Sequence, residues 1–331
     1  MVYKTLGKTE LENAELIASF TPNFTEKRKR EFFDEARKIK EKSLTGSVTV
    51  TRCTPDDDFI DSAVFTKKTT VVKDEAGFFN YAKDQSNSER CVWWMNFADP
   101  KLFGYYSGSM FAQDEIQVFE HPVLAGIRNY LVDPGEENMQ PWTLTLRDGE
   151  PDSATPFLIE NVPMWLKVDT CPQLPFGGFG HIYGRSFSSA SYEELEAGIK
   201  VVKENIKNNI MAVSAVVGSG LYTYDQIEIM LKTLICAFSK AKDVAQGKKC
   251  VIHGGNWGCG AFGGNPEVMY FLQIYAASVT GIDELILHNT DDDAYFDAKE
   301  VYDDLDDETT LESVIYKLLD KEYCWGRGDG N

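Results

Sequence analysis

Residues 251–264, Val-Ile-His-Gly-Gly-Asn-Trp-Gly-Cys-Gly-Ala-Phe-Gly-Gly, run from a short apolar stretch into a loop that is mostly glycine, and Asn265-Pro266-Glu267 follows. That order of residue types suits an anion. Glycines let successive backbone N–H groups face a phosphate at close range, and a helix starting at Pro266 adds its unsatisfied N–H groups and positive dipole end. Asn265 is a good N-cap and Pro266 a good first helical residue. A glycine-rich surface turn is the plain alternative. The strand before, the capped helix after, and Trp257 and Phe262 inside the loop favour a ligand loop. It has neither the Gly-Lys-Ser/Thr end of a Walker loop nor a clean Gly-x-Gly-x-x-Gly spacing, so another phosphate ligand is implied.

A second constellation lies upstream. Val92-Trp93-Trp94-Met95-Asn96-Phe97-Ala98 reads as a buried strand ending in Asp99-Pro100, and the loop after it holds Phe103-Gly104-Tyr105-Tyr106 and Ser107-Gly108-Ser109 before Gln113-Asp114-Glu115. Adjacent carboxylates at the end of a strand–loop unit can transfer protons if burial raises a pKa. Taken alone, Asp114 and Glu115 read more simply as the first turn of a helix, where acidic side chains suit the dipole.

Together the two segments resemble the catalytic core of poly(ADP-ribose) glycohydrolase, a macrodomain-type hydrolase. That family carries a strand ending in Phe-Ala-Asn, a triple-glycine loop and a Gln-Glu-Glu signature, against Phe97-Ala98-Asp99, Phe103-Gly104-Tyr105 and Gln113-Asp114-Glu115 in this chain. Residues 255–264 reproduce its diphosphate loop, a very specific motif. Weaker echoes lie at Val48-Thr49-Val50-Thr51-Arg52, at Phe176-Gly177-Gly178-Phe179-Gly180-His181-Ile182-Tyr183 and at Val314-Ile315-Tyr316-Lys317-Leu318-Leu319, so the likeness covers roughly residues 46–323. The departures are bulky Phe103 and Tyr105 for two glycines, Asp114 for the first acid, and Asp99 for the strand-end Asn. In these it looks like the MavL-like class, which removes single ADP-ribose groups from arginine.

The resemblance implies a site residue by residue. Glu115 is the general acid and base, with Asp114 and Asp99 orienting the distal ribose or facing a guanidinium leaving group. Gly255, Asn256, Gly258, Cys259, Gly260, Ala261 and Phe262 wrap the diphosphate, Asn256 and Phe262 toward the distal ribose. Gln113 helps hold the substrate, Gly104 and Tyr105 belong to the altered glycine loop, and Phe179 packs beside the ligand. Val50 and Thr51 align near the adenine edge, although Thr51 stands where the family has an acid. Trp257 reads as a core side chain, and Cys259 as packing rather than a nucleophile. The implied reaction is cleavage at the anomeric carbon of the distal ribose through an oxocarbenium-like transition state. No metal or organic cofactor is required. The implied partners are ADP-ribose and an ADP-ribosylated protein, with no nucleic acid and no membrane. A non-catalytic ADP-ribose reader and a hydrolase of the polymer are the competing classes.

Composition agrees. The 331 residues suffice for one large α/β domain with accessory helices, or for two modest domains, and can bury a substantial core. The formal charge is −19, and residues 281–322 hold fifteen Asp/Glu against three Lys/Arg, a surface that repels nucleic acid. No apolar stretch approaches membrane-span length and the N-terminus lacks a signal-peptide pattern, so the expectation is an intracellular, cytoplasmic protein with a nuclear location left open. Seven cysteines without paired spacing point to reduced thiols, and four scattered histidines argue against a Cys/His zinc site.

These residues need a scaffold to position them. Residues 9–19 and 25–42 read as helices, with Lys27-Arg28-Lys29-Arg30 on the wet face of the second and Phe32 and Phe33 inward. Thr45-Gly46 ends that unit, giving an N-terminal helical segment over 1–45 and a macrodomain over 46–331. Strands are expected at 48–52, 157–159, 165–168, 211–217, 250–252 and 284–287. Ser191 with Glu194, and Thr223 with Gln226, form capping boxes for helices to about Asn208 and Gln246, and a third helix runs from Pro266 to Val279. Such alternation favours α/β: a three-layer α/β/α sandwich whose ligand lies at strand C-terminal ends. The resemblance adds a macrodomain-like mixed sheet with accessory N-terminal helices.

Overall fold

Trp93 and Trp94 are neighbours in the chain, yet they are buried in two different cores. Side chains alternate across a strand, so a run that is apolar at every position belongs inside a sheet covered on both faces. The computed structural model describes residues 1–75, 77, 84–132, 137–175, 177–288 and 291–328. In chain order its elements are β1 (Tyr3–Glu12), α1 (Asn13–Ala18), α2 (Lys27–Lys40), β2 (Ser47–Pro55), α3 (Asp57–Ser62), β3 (Val64–Thr66), β4 (Val71–Glu75), β5 (Arg90–Ala98), α4 (Gln113–Glu120), α5 (Val123–Val132), β6 (Leu144–Arg147), β7 (Glu150–Ala154), β8 (Phe157–Pro163), β9 (Leu166–Val168), α6 (Tyr192–Gly198), β10 (Ile199–Val201), β11 (Lys207–Ser214), α7 (Tyr224–Ala245), β12 (Lys249–Gly255), α8 (Pro266–Thr280), β13 (Glu284–His288), α9 (Asp292–Asp303), β14 (Glu308–Thr310) and α10 (Leu311–Leu319).

The main sheet has eight strands in the order β1-β2-β8-β11-β5-β12-β13-β4. From β11 to β4 the neighbours are parallel, and from β11 back to β1 they are antiparallel. One core holds Trp93 and Met95 against α7, α8, α9 and α10. The other holds Val92 and Trp94 against α1, α2, α4, α5 and α6. This is the expected three-layer α/β/α sandwich with a mixed sheet. Among the described residues no helix is long and apolar enough to cross a membrane.

The helix ends follow local chemistry. Thr223 Oγ1 accepts from Gln226 N–H and the Gln226 side chain accepts from Thr223 N–H, which starts α7. It stops at Gln246 and Gly247, both left-handed, at φ 49° and 86°. Asn265 caps α8 with Pro266 behind it, and left-handed Gly281 ends it.

Three expectations are corrected. Residues 9–19 are not one helix: β1 occupies residues through Glu12 and the short α1 follows. β1 pairs antiparallel with β2 from Tyr3↔Pro55 to Glu12↔Ser47, so a hydrogen-bonded ladder crosses from the N-terminal segment into the sheet. Pairing with β2 overrides the helix propensity of Leu11, Glu12 and their neighbours. The helix opened by Ser191 ends at Gly198, not near Asn208, because Ile199–Val201 turns into a strand pairing with β9. In α2, Phe33 is buried as expected, but Lys29 is buried as well and is not on the wet face.

Candidate active site

Three adjacent parallel strands, β11, β5 and β12, end together, and a cleft of about 460 Å³ opens at their carboxyl ends. That volume lies within the roughly 300–1,000 Å³ of small-molecule sites. Phe97, Ala98 and Asp99 from the end of β5, with Ala112 to Glu115, form one wall. Asn256 to Phe262 form the other, and Tyr105, Met110, Tyr183 and Ala215 complete the lining. The two constellations read from the sequence, about 150 residues apart in the chain, thus face each other across one cleft.

The glycine loop is held in advance at both ends. Gln273 grips Gly255: its Oε1 accepts from Gly255 N–H at 3.1 Å and its Nε2 donates to Gly255 O at 2.8 Å. Trp257 Nε1 donates to Val213 O at 3.1 Å, and Asn265 N–H donates to Tyr222 Oη at 2.7 Å. Tyr270 Oη donates to Asn256 Oδ1. Gly258 is structural, since φ is +74° and a Cβ there would lie 2.2 Å from Met269 Cε. The N–H groups of Gly260, Ala261 and Phe262, three in a row on the cleft wall, have no protein acceptor among the described residues. A run of unclaimed amides on a cleft wall is the kind of backbone that can take an anion. Burial pushes the Cys259 thiol up to about 12, which suits packing and not nucleophilic attack.

On the acidic wall, Gln113 is the first residue of α4, and its amide is occupied by β5. Its Oε1 accepts from Phe97 N–H at 2.7 Å and its Nε2 donates to Met95 O at 2.7 Å. Gln113 therefore splices the helix onto the strand end, and its amide is committed to the scaffold rather than free to hold a substrate. Asp114 Oδ1 accepts from Asn96 Nδ2 at 3.1 Å, and Glu115 Oε2 accepts from Ala112 N–H at 3.1 Å. Both acids are in the first helical turn, as their residue types alone suggest, yet both are nearly buried. Burial and the neighbouring Glu115 and Asp99 carboxylates hold the Asp114 carboxyl well above the usual range. Burial also raises Glu115, opposed first by the positive charge of Lys29, and raises Asp99, whose Oδ1 accepts from Lys101 N–H at 2.9 Å. Three carboxyls line one cleft wall, each biased toward its protonated form, an arrangement that could serve acid/base chemistry.

The raised Asp114 has a consequence for stability. Its native pKa lies above the unfolded value of about 4, so the folded chain keeps a proton that the unfolded chain releases. Stability is therefore lost as pH rises from the unfolded value through the native one. Asp114→Asn removes that penalty, and the new amide can donate to Asn96 Oδ1, which has no partner among the described residues. The melting temperature of Asp114→Asn is expected to exceed wild type by about 2–4 °C at pH 8, the difference closing near pH 4. Melting curves at the two pH values check this, and a pH-independent difference would contradict an origin in the Asp114 proton.

Several residues named from the sequence lie elsewhere. Phe103 is completely buried in the second core with φ +52°. Its ring therefore does not narrow the cleft, and the left-handed backbone explains why glycine suits that position. Tyr105, half exposed, is the replacement that does line the cleft. Gly104 is outside the lining, under a close approach to Lys101 O. Val50 and Thr51 are buried inside β2, and Phe179 is 68% exposed; the structure does not bring these three to the cleft. Phe176 lies outside the described residues. Trp257 is fully buried as expected, its edge contributing to the cleft wall. Met110, Tyr183 and Ala215 were missed, since no local motif marks them; they are brought in by loop and strand-end geometry.

Residues 181–296 match the family model described as poly(ADP-ribose) glycohydrolase, macro domain fold. Over that third of the chain the sequence is similar to the glycohydrolase family. The matched stretch contains the glycine loop but not Asp99, Asp114 or Glu115. No curated protein matches the sequence. Among solved structures, the chain is similar to poly(ADP-ribose) glycohydrolase from Thermomonospora curvata, at 13% identity over 82% of this chain and 100% of that one, TM-score 0.47. The same enzyme bound to the inhibitor ADP-HPD gives 12%, 83%, 99% and 0.47. The Deinococcus radiodurans glycohydrolase in complex with ADP-ribose gives 11%, 90%, 94% and 0.41.

Proposed function

We propose that this macrodomain is a glycosidic-bond hydrolase that releases ADP-ribose from mono-ADP-ribosylated arginine. One observation carries the reading: the unclaimed amides of the glycine loop and the protonation-biased Asp99, Asp114 and Glu115 face each other across a cleft of ligand size. A diphosphate seated on the Gly260–Phe262 amides directs the ribose toward the acidic wall. Glu115 donates its proton to the leaving atom, the C1″ cation forms, and the carboxylate then takes a proton from the attacking water. The diphosphate charge, held close by, stabilises the oxocarbenium ion. A guanidinium stays charged at neutral pH, and a carboxylate such as Asp99 offers it a charge-assisted contact. Tyr105 gives that group a flat neighbour.

Cleavage of the polymer is the second reading, favoured by the family matched over residues 181–296. The test is to incubate the protein with arginine-linked, serine-linked, glutamate-linked and polymeric ADP-ribose and to measure free ADP-ribose. The arginine-linked substrate is expected to be cleaved, with little release from polymer. Rapid polymer degradation without arginine cleavage would replace the first reading by the second, and binding without any turnover would make the protein a reader.

A further inference from the structure

The N-terminal segment lies outside the matched stretch and outside the lining of the cleft, yet it places a fully buried lysine behind the acidic wall. Lys29 Nζ, on α2, donates to Tyr106 O at 3.1 Å and to Met110 O at 2.5 Å, clasping the Ser107-Gly108-Ser109 turn from behind. The Phe111 ring centroid is 5.1 Å away and that of Phe187 5.8 Å. The same segment grips the loop elsewhere: Asn23 N–H donates to Tyr106 Oη, and the N–H groups of Thr25 and Glu26 donate to Ser107 O. That loop presents Tyr105 and Met110 to the cleft, and its last residue, Ala112, hydrogen-bonds Glu115.

Holding two carbonyls does not by itself call for a buried cation, which is costly to desolvate. A charge belongs there if negative charge must be balanced nearby. The charged groups that act on Lys29 are Glu26 on α2 and Asp114 and Glu115 on α4, and those two acids are acted on in turn by Asp99 at the end of β5, with Arg128 on α5 beside Asp99 and Asp114. Arg128 is committed to the carbonyls of Leu102 and Pro141. Building on the hydrolase reading above, we propose that Lys29 is a positioning residue for the reaction: it anchors the 101–112 loop and supplies the buried positive charge that balances Glu115 and Asp114 during proton transfer. Burial draws the Lys29 ammonium down to about 8 while Glu115, Glu26 and Asp114 hold it up, and Lys29 in turn restrains the rise of Glu115.

The test compares wild type, Lys29→Met, Lys29→Gln and Lys29→Arg by kcat/KM against pH on an ADP-ribosylarginine peptide. The descending limb reports protonated Glu115. It is expected to move up by about one pH unit in Lys29→Met and Lys29→Gln and to stay in place in Lys29→Arg. In the first two, kcat should fall about tenfold or more, with ADP-ribose affinity by calorimetry within about threefold. Lys29→Gln keeps a donor to the loop without the charge, so it separates balance from anchoring even if Lys29→Met loses its cooperative melt. A ¹³C-carboxyl titration of Glu115 in wild type and Lys29→Gln makes the same comparison without turnover. An unmoved Glu115 in Lys29→Gln, or a Lys29→Arg limb that moves as far as that of Lys29→Met, would overturn the role of Lys29. Wild type inactive on every ADP-ribosyl substrate would overturn the hydrolase reading instead.

Discussion

Glu115→Gln is expected to lower turnover on an ADP-ribosylarginine peptide by roughly 10²–10⁴-fold, the range of general acid–base catalysis. The substitution preserves shape, and the amide oxygen can still accept from Ala112 N–H, the contact that fixes the first turn of α4. What disappears is the titrating proton. ADP-ribose affinity should change little, because on the proposed reading the diphosphate sits on the opposite wall, where Gly260, Ala261 and Phe262 line the cleft. Single-turnover release of ADP-ribose, read beside calorimetry on the free ligand, separates the two quantities. Full activity in Glu115→Gln would remove that residue from the chemistry and shift attention to Asp114, whose Oδ2 has no partner among the described residues.

Gly260→Val should weaken ADP-ribose binding by about 100-fold or more, about 2.7 kcal/mol, while the protein still melts cooperatively. On the proposed reading, affinity at this loop comes from backbone amides approaching phosphate oxygens at hydrogen-bond distance, and a branched side chain on the cleft wall keeps them apart. Neighbouring glycines set the contrast. Gly255 has φ +145° and a Cβ there would lie 2.6 Å from His288 O, while Gly258 has φ +74° and presses on Met269 and Ala215. Valine at either of those positions strains the fold itself, so Gly258→Val is expected to lose the cooperative melt that Gly260→Val keeps. Calorimetry and a thermal scan on both variants decide it. Unchanged ADP-ribose affinity in a folded Gly260→Val protein would dismiss the glycine loop as the diphosphate site.

Much of the scaffold was legible in the chain because it is written in local chemistry. Thr223 with Gln226, Ser191 with Glu194, and Asn265 before Pro266 mark helix starts through side chains that bond backbone groups three residues away or fewer. The apolar run Cys91–Met95 in β5 announces a central strand. The glycine loop was recognisable because contact through the backbone requires glycine itself, a demand that leaves its mark in sequence. Where local signals were weak or outvoted, the reading failed: the end of β1 looked helical although β2 offered it a partner, and the helix from Tyr192 stopped early because Ile199–Val201 found β9.

Residue types alone marked a glycine loop suited to an anion, and the resemblance singled out Asp99, Asp114 and Glu115. Tertiary structure decided which of those groups meet. It set Asp114 and Glu115 opposite the loop and placed them out of water, turning ordinary first-turn acids into proton-transfer candidates. It committed Gln113 to β5, buried Phe103 away from the cleft, kept Tyr105 in it, and brought Lys29 behind the acidic wall from a segment that looked solvated. A pKa depends on burial and on charges distant in sequence, and a lining depends on where strand ends converge. Neither quantity is carried by a short window of sequence, whereas a cap, a glycine turn and an alternating strand are.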